Sequence, residues 1–241
     1  MKKLFLAALL VSLSVCAFAQ QDYVGRYDVF GGFSYLDSPK LDLQQRGINT
    51  QLGANLRRWL AFGFDYSIQN GHAALVTKDL KPNVQAGLNQ LVLAGEAGAF
   101  APLVIPAGYQ LWAPFNATTQ TFTLGPQLTY RHFKRVTLFV HPSIGVIHEY
   151  ITVKSHDPFT ATVVLPALIE TGTLKTLKPN DTTYFYGLGG GADYNFTKHV
   201  HVRADIEFVH VYLFSGLLED PRNSVRLSVG PTFNFGKNIA R

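Results

Sequence analysis

Residues 225–235 read "VRLSVGPTFNF", and the parity of this stretch decides how the whole chain is understood. Successive side chains of a strand point to opposite faces. Val225, Leu227, Val229, Pro231, Phe233 and Phe235 therefore share one face, and Arg226, Ser228, Gly230, Thr232 and Asn234 share the other. In a soluble sheet the apolar row would be the core. In a barrel set in lipid the assignment reverses, and the arginine points inward.

The same alternation recurs seven times. "TFTLGPQLTYR" (121–131) sets Phe122, Leu124, Pro126, Leu128 and Tyr130 against Thr121, Thr123, Gln127 and Arg131. "VHVRADIEF" (200–208) sets Val200, Val202, Ala204, Ile206 and Phe208 against His201, Arg203, Asp205 and Glu207. "YFYGLGGGADYNF" (184–196) and the segments near 27–36, 48–56 and 59–68 behave alike, with Asp193, Asp28, Gln51, Asn55 and Asp65 on their polar faces. Soluble sandwiches also alternate, so three further features carry the reading. Charges sit in mid-strand on the polar face. Aromatic residues such as Tyr27, Trp59, Tyr130, Tyr150, Phe196 and Tyr212 gather near strand ends, as an interfacial girdle would. Connections alternate between tight (57–58, 132–136, 197–199) and long (37–47, 69–117, 154–181, 214–223). The expected fold is an all-β, eight-stranded antiparallel transmembrane barrel with short periplasmic turns and long extracellular loops.

The N-terminus supports export. "MKKLFLAALLVSLSVCAFAQQ" has a basic start at Lys2 and Lys3, an apolar run from Leu4 to Val15 and a small-x-small site at Ala17-Phe18-Ala19. A signal peptide over 1–19 and a barrel domain over 20–241 are expected. Lipidation at Cys16 is disfavoured by Val15, because a small residue is needed there. Losing Lys2 and Lys3 lowers the net charge from +5 to +3, too mild for a nucleic-acid binder. Cys16 is the one cysteine, so the mature chain is stabilised without disulfides. After the leader no apolar run is long enough for a membrane-spanning helix.

The strand "TLFVHPSIGVIHEY" (137–150) carries a hydrolase's residue types, His141, Ser143 and Glu149. Parity turns all three inward, away from any lipid substrate. Glu149 lies eight residues beyond His141, roughly 26 Å along a strand, too far to orient its imidazole. An acid from a neighbouring strand is the remaining route to catalysis. The favoured reading is an interior hydrogen-bond network of Asp28, Asp65, Arg131, His141, Glu149, Asp193, Arg203, Asp205, Glu207 and Arg226, with Ser143 and His201 nearby. An eight-stranded barrel is just wide enough for its own side chains, and charges buried there must be paired.

"YDVFGGFSYL", "TFTLGPQLTYR" and "VRLSVGPTFNF" together resemble the OmpA/OmpX-like family of eight-stranded outer-membrane β-barrels, over about residues 23–236. The resemblance implies a bacterial outer-membrane location, insertion by the outer-membrane assembly machinery, and contact with outer-membrane lipids and lipopolysaccharide. The chain departs from that family in two ways. "GKNIAR" follows Phe235, where members finish on a terminal aromatic, and no peptidoglycan-binding extension follows.

In such a fold function usually resides in the loops. In the loop 69–117, Pro82 predicts a short helix over about 83–96 bearing Val84, Leu88, Leu91, Val92 and Leu93. One reading folds this segment over the barrel mouth. The other leaves it as an exposed binding platform anchored by Tyr109, Trp112 and Phe115. Residues 154–181 are expected to form a hairpin that extends the wall. The basic turns (Arg57-Arg58, Lys134-Arg135, Lys198-His199) suit either anionic phospholipid headgroups or plain solvent. No metal-ligand spacing and no cofactor motif is visible, and "GLGGGAD" is a strand whose glycines make room for neighbours rather than a phosphate loop. The expectation is a monomeric, non-enzymatic barrel with a plugged polar interior and a structural or surface-binding role. The alternatives are a lipid A deacylase-like enzyme using His141 and Ser143, and a narrow ion-conducting barrel.

Overall fold

The computed structural model describes residues 21, 23–103, 105, 108–155, 157–219 and 222–239. The leader and its cleavage site lie outside them. Eight antiparallel strands run β1 (Tyr27–Ser38), β2 (Leu43–Arg57), β3 (Leu60–Val76), β4 (Trp112–Tyr130), β5 (Val136–Val153), β6 (Asn180–Asn195), β7 (Val200–Val211) and β8 (Arg222–Phe235). Each pairs with its neighbour in sequence, and β8 pairs back onto β1 to close the barrel. Among the described residues no helix is long and apolar enough to cross a membrane.

The expected parity holds in every strand. In β8, Arg226, Ser228, Thr232 and Asn234 are buried, whereas Leu227, Val229 and Phe233 are exposed. In β7, His201, Arg203, Asp205 and Glu207 are buried against exposed Val202, Ile206 and Phe208. The exposed rows join into an apolar belt around the middle of the barrel. Aromatic pairs such as Tyr27–Phe235, Tyr194–Phe196 and Tyr66–Phe122 lie along it.

The strands run further than the alternation suggested, because polarity inverts along them while parity does not. In β4 the inward positions read Thr123, Thr121 and Thr119, then Ala117, Phe115 and Ala113, all buried. The outward positions read Leu124 and Phe122, then Gln120, Thr118, Asn116 and Pro114. β3 does the same, with Leu75 buried and His72 exposed beyond Ile68. The long-loop third of the barrel is thus built like a water-soluble protein, with an apolar inside. The segment 37–47 is consequently strand at 37–38 and 43–47, joined by a 3-10 turn at Pro39–Leu41 and by Asp42 with φ of 49°. The 69–117 loop shrinks to 77–111, and the 214–223 loop lies between Val211 and Arg222.

Two helical segments cover this apolar third. α1 (Pro82–Glu96) begins at Pro82 as expected and buries Val84 and Leu88. The expected hairpin over 154–181 is helical instead. A turn at Thr160–Val164 runs into α2 (Leu165–Glu170). The Asp157 carboxylate accepts the Thr160 amide at 2.7 Å, and Pro158 follows it. An acidic cap with proline at the first helical position is a helix start, and it prevails over the β-branched run Thr160–Val164. Leu41, Leu43, Leu75, Leu80, Val84, Leu88, Phe115, Ile151, Phe159, Leu165 and Leu168 close into one core.

Candidate functional site

Below this cap the barrel holds a continuous charged network. Arg203 makes a two-pronged contact with Asp193, Nε to Oδ1 at 2.7 Å and Nη2 to Oδ2 at 3.0 Å. It also reaches Asp28 at 3.6 Å and donates to Gln51 at 2.9 Å. Arg226 bridges Glu207 at 2.6 Å and Asp65 at 2.8 Å, and donates to Ser67 and Thr121. Two forked guanidinium groups, each shared by two carboxylates, are the strongest pairing available to buried charges. Arg131 joins through an amide rather than a carboxylate. It donates to Asn55 at 2.8 Å, and Asn55 donates to Asp28 at 3.1 Å. Glu149 is buried nearer the cap, where it lines a small cavity with Lys40, Ile147 and Phe185.

The histidine and serine of β5 find their acids two strands away. His141 Nε2 lies 3.1 Å from Asp205, and Ser143 donates to Glu207. Both contacts pass over β6, which separates β5 from β7. They can do so because β6 turns only glycine inward at this height. A Cβ on Gly189 would lie 2.4 Å from the His141 ring, one on Gly187 would lie 2.8 Å from Ser143 Oγ, and one on Gly191 would lie 2.8 Å from Phe139. Phe139 completes the series, with the Arg203 guanidinium over its ring at 4.8 Å. Three side chains of β5 thus meet three of β7 across a bare strip. The register places His141 opposite Gly189 and Gly189 opposite Glu207, so each contact runs diagonally to the residue two positions earlier on β7.

Chemically the arrangement pairs charges and does not line up a nucleophile. Ser143 bonds a carboxylate that Arg226 already holds, and the imidazole bonds a different carboxylate, whereas nucleophilic catalysis by serine needs base and nucleophile in contact. Among the described residues no group of acids, histidines and cysteines has metal-binding geometry. The network encloses a cavity of about 40 Å³ lined by Asp28, Asp65, His141, Ser143, Arg203 and Arg226.

At the long-loop end the three proposed anchors separate. Phe115 faces inward at 6% exposure, in the cap core, so it anchors the fold and not a partner. Tyr109 packs edge-on against Phe159 at 5.1 Å and bonds Thr160, which leaves it half-buried. Trp112 alone is exposed, at 56%. It borders a groove of about 770 Å³ whose charged lining is Lys40, Arg46 and Lys78 with Asp42 and Asp79, beside His72. The basic members of that groove escaped the sequence reading because they lie in two stretches, 40–46 and 72–78, that only strand pairing brings together.

The comparisons with known proteins agree with this architecture. The pattern of the outer membrane protein beta-barrel domain matches residues 5–235. Among solved structures, the chain is similar to Neisserial surface protein A at 10% identity, over 87% of this chain and 96% of that one, with a TM-score of 0.51. It is also similar to the outer membrane protein OprG of Pseudomonas aeruginosa, at 10% identity over 90% and 99% of the two chains, with a TM-score of 0.45. Ail of Yersinia pestis, in complex with the heparin analogue sucrose octasulfate, is similar at 13% identity over 87% and 96%, with a TM-score of 0.43. None of the curated proteins compared with the chain matches it. The closed barrel of eight antiparallel strands, apolar outside and charged inside, is joined to a family match over nearly the whole chain, and the chain belongs to the outer membrane protein beta-barrel domain family.

Proposed function

We propose that this protein is a non-enzymatic, non-conducting outer-membrane barrel that works through its long-loop face. The observation that supports the closed interior is the crossing of the lumen by Arg226 of β8, which reaches Asp65 of β3 and Thr121 of β4, and by Arg203 of β7, which reaches Gln51 of β2. The cavities left beside them are of about 40 and 30 Å³, each little more than a water molecule needs. Above them the apolar cap core sits across the same axis. An ion would have to break pairs in which each buried charge is worth several kcal/mol to its partner. The surface role centres on Trp112 and the mixed-charge groove beside it, where Lys40, Arg46 and Lys78 outnumber Asp42 and Asp79 and which opens above the apolar belt, towards the lipopolysaccharide headgroups. On this reading the barrel acts as a monomer, surrounded by outer-membrane lipid and delivered by the assembly machinery.

Purified protein reconstituted in planar bilayers tests the interior. No discrete conductance is expected at 100 mV, and regular steps would replace this reading with that of an ion path. Ser143→Ala with His141→Ala should leave the lipid A mass spectrum of the host unchanged. Loss of a deacylated species would restore the enzyme.

A further inference from the structure

At the short-turn end, the turn between β4 and β5 lies beside the turn between β6 and β7, where the Asn195 amide donates to the Arg135 carbonyl at 2.8 Å. Between them opens a cavity of about 300 Å³ lined by Gln21, Tyr23, Lys134, Arg135, Lys198 and His201, among others. The three cations come from two turns far apart in sequence. All are exposed, and no ion pair holds any of them among the described residues. Among the described residues no acidic side chain lines the cavity.

His201 points into this cavity from β7 at 8% exposure, and neither of its ring nitrogens has a hydrogen-bond partner. The Asn195 side-chain amide beside it also lacks an acceptor. Buried polar groups are nearly always satisfied, and one that is not calls for a ligand or water. The inward charges closest to His201 are Asp193, Asp28, Arg131 and Arg203, two of each sign, which leaves the rim cations to set the local field. Three cations above two unsatisfied polar side chains are complementary to a compact multivalent anion. Phe196, 64% exposed, stands on the outer wall of the same turn, where a lipid's acyl chains would begin.

We propose that this cavity binds a phosphate group, presented by an anionic phospholipid headgroup of the adjacent leaflet or as the free ion. The charge is supplied by Lys134, Arg135 and Lys198, and the directed hydrogen bonds by His201 and Asn195. Arg57, an exposed cation at the short-turn end of β2, does not line the cavity and serves as a control for surface charge.

The test uses the protein refolded in dodecyl maltoside, with the ring nitrogens of His201 followed by NMR and assigned by their loss in His201→Gln. Inorganic phosphate is titrated against chloride at constant ionic strength. In separate arms dimyristoyl phosphatidylglycerol or dimyristoyl phosphatidylcholine is added to the micelles. A saturable shift of the His201 signals is expected, at least tenfold weaker in affinity in Lys134→Gln/Arg135→Gln/Lys198→Gln and unchanged in Arg57→Gln. A response to phosphatidylglycerol alone assigns the site to a lipid headgroup, and a response to inorganic phosphate alone assigns it to the free ion. If the triple variant loses its heat-modifiable gel shift, Lys198→Gln alone takes its place with an expected threefold loss. The proposal is overturned by no shift in any arm, by equal shifts with both lipids and none with phosphate, or by an undiminished response in the charge variants.

Discussion

Replacing Gly189 with alanine probes the strip over which β5 and β7 meet. The added Cβ would lie 2.4 Å from Cε1 and Nε2 of His141, about 1 Å inside the ~3.5–4.0 Å at which non-bonded carbons settle. The ring can yield only by leaving Asp205, whose contact at 3.1 Å would stretch past hydrogen-bonding range. Removing one partner of a buried charge pair costs about 3–5 kcal/mol. Arg203 and Arg226 both stay close to Asp205, so the expected loss is smaller, about 2–3 kcal/mol. Gly63 is the control, since it also faces inward but a Cβ there meets nothing nearer than the Leu52 carbonyl at 4.0 Å. Gly63→Ala should be neutral or slightly stabilising, because it removes backbone freedom from the unfolded chain. Urea titrations of the micelle-refolded variants, read by the heat-modifiable gel shift, give the comparison. In a His141→Ala background the penalty of Gly189→Ala should disappear, the signature of a direct coupling. Equal stability of Gly189→Ala and Gly63→Ala, or a penalty that survives in that background, would refute the crossing strip.

Leu227 is 44% exposed on the belt, so Leu227→Arg should cost roughly 2–4 kcal/mol and reduce the folded fraction in bilayers. Ser228→Ala, which loses the Asn49 contact at 3.0 Å and a long one to Ser34 at 3.5 Å, should cost about 1 kcal/mol. A larger loss from the serine change would reverse inside and outside. Arg226→Met strands Asp65 and Glu207 together and should lower stability by about 3–5 kcal/mol. Adding Asp65→Asn and Glu207→Gln should recover most of it in the same urea assay. Burial raises the Asp79 carboxyl above its free value, so the folded cap holds that proton more tightly than the unfolded chain. Its stabilising contribution is therefore present in acid and lost as pH rises through the folded pKa. Hydrogen exchange of residues 77–111, corrected for intrinsic rates, should be slower at pH 4 than at pH 7, and Asp79→Asn should abolish the difference.

Parity made the middle of each strand legible. Leu227 and Ser228, or Ile206 and Glu207, declare their sides because lipid and lumen demand opposite chemistries. The upper ends of the strands were not legible in this way. At Thr118 to Pro114 the outside becomes polar and the inside apolar, and a reader tracking one polar face sees the pattern fail although the strand continues. Phe115 was mistaken for an exposed anchor for that reason. α2 was not legible because the β-branched Thr160, Thr162, Val163 and Val164 follow the Asp157–Pro158 start and favour strand. The partners within the network were equally hidden. His141 and Asp205 are 64 positions apart, and only closure of the barrel with Gly189 between them brings the two together. The inward glycines were the available signal, since a side chain absent from one strand leaves room for its neighbours.

The apolar cap also bears on how the molecule reaches its place. The cap lies at the long-loop end, so the chain between β3 and β4 has to pass through the bilayer before α1 can settle over the mouth. Lys78, Asp79 and Lys81 lie at the start of that stretch, and from Pro82 to Leu111 it holds one charged side chain, Glu96. Each arginine or lysine carried to mid-bilayer would cost about 2–4 kcal/mol, whereas Leu88, Leu91, Phe100 and Leu111 cross with little penalty. The residues that hold the cap together once it is outside are therefore the ones that pass most readily through the hydrocarbon. Charges placed in this segment should slow insertion even where the finished cap would tolerate them.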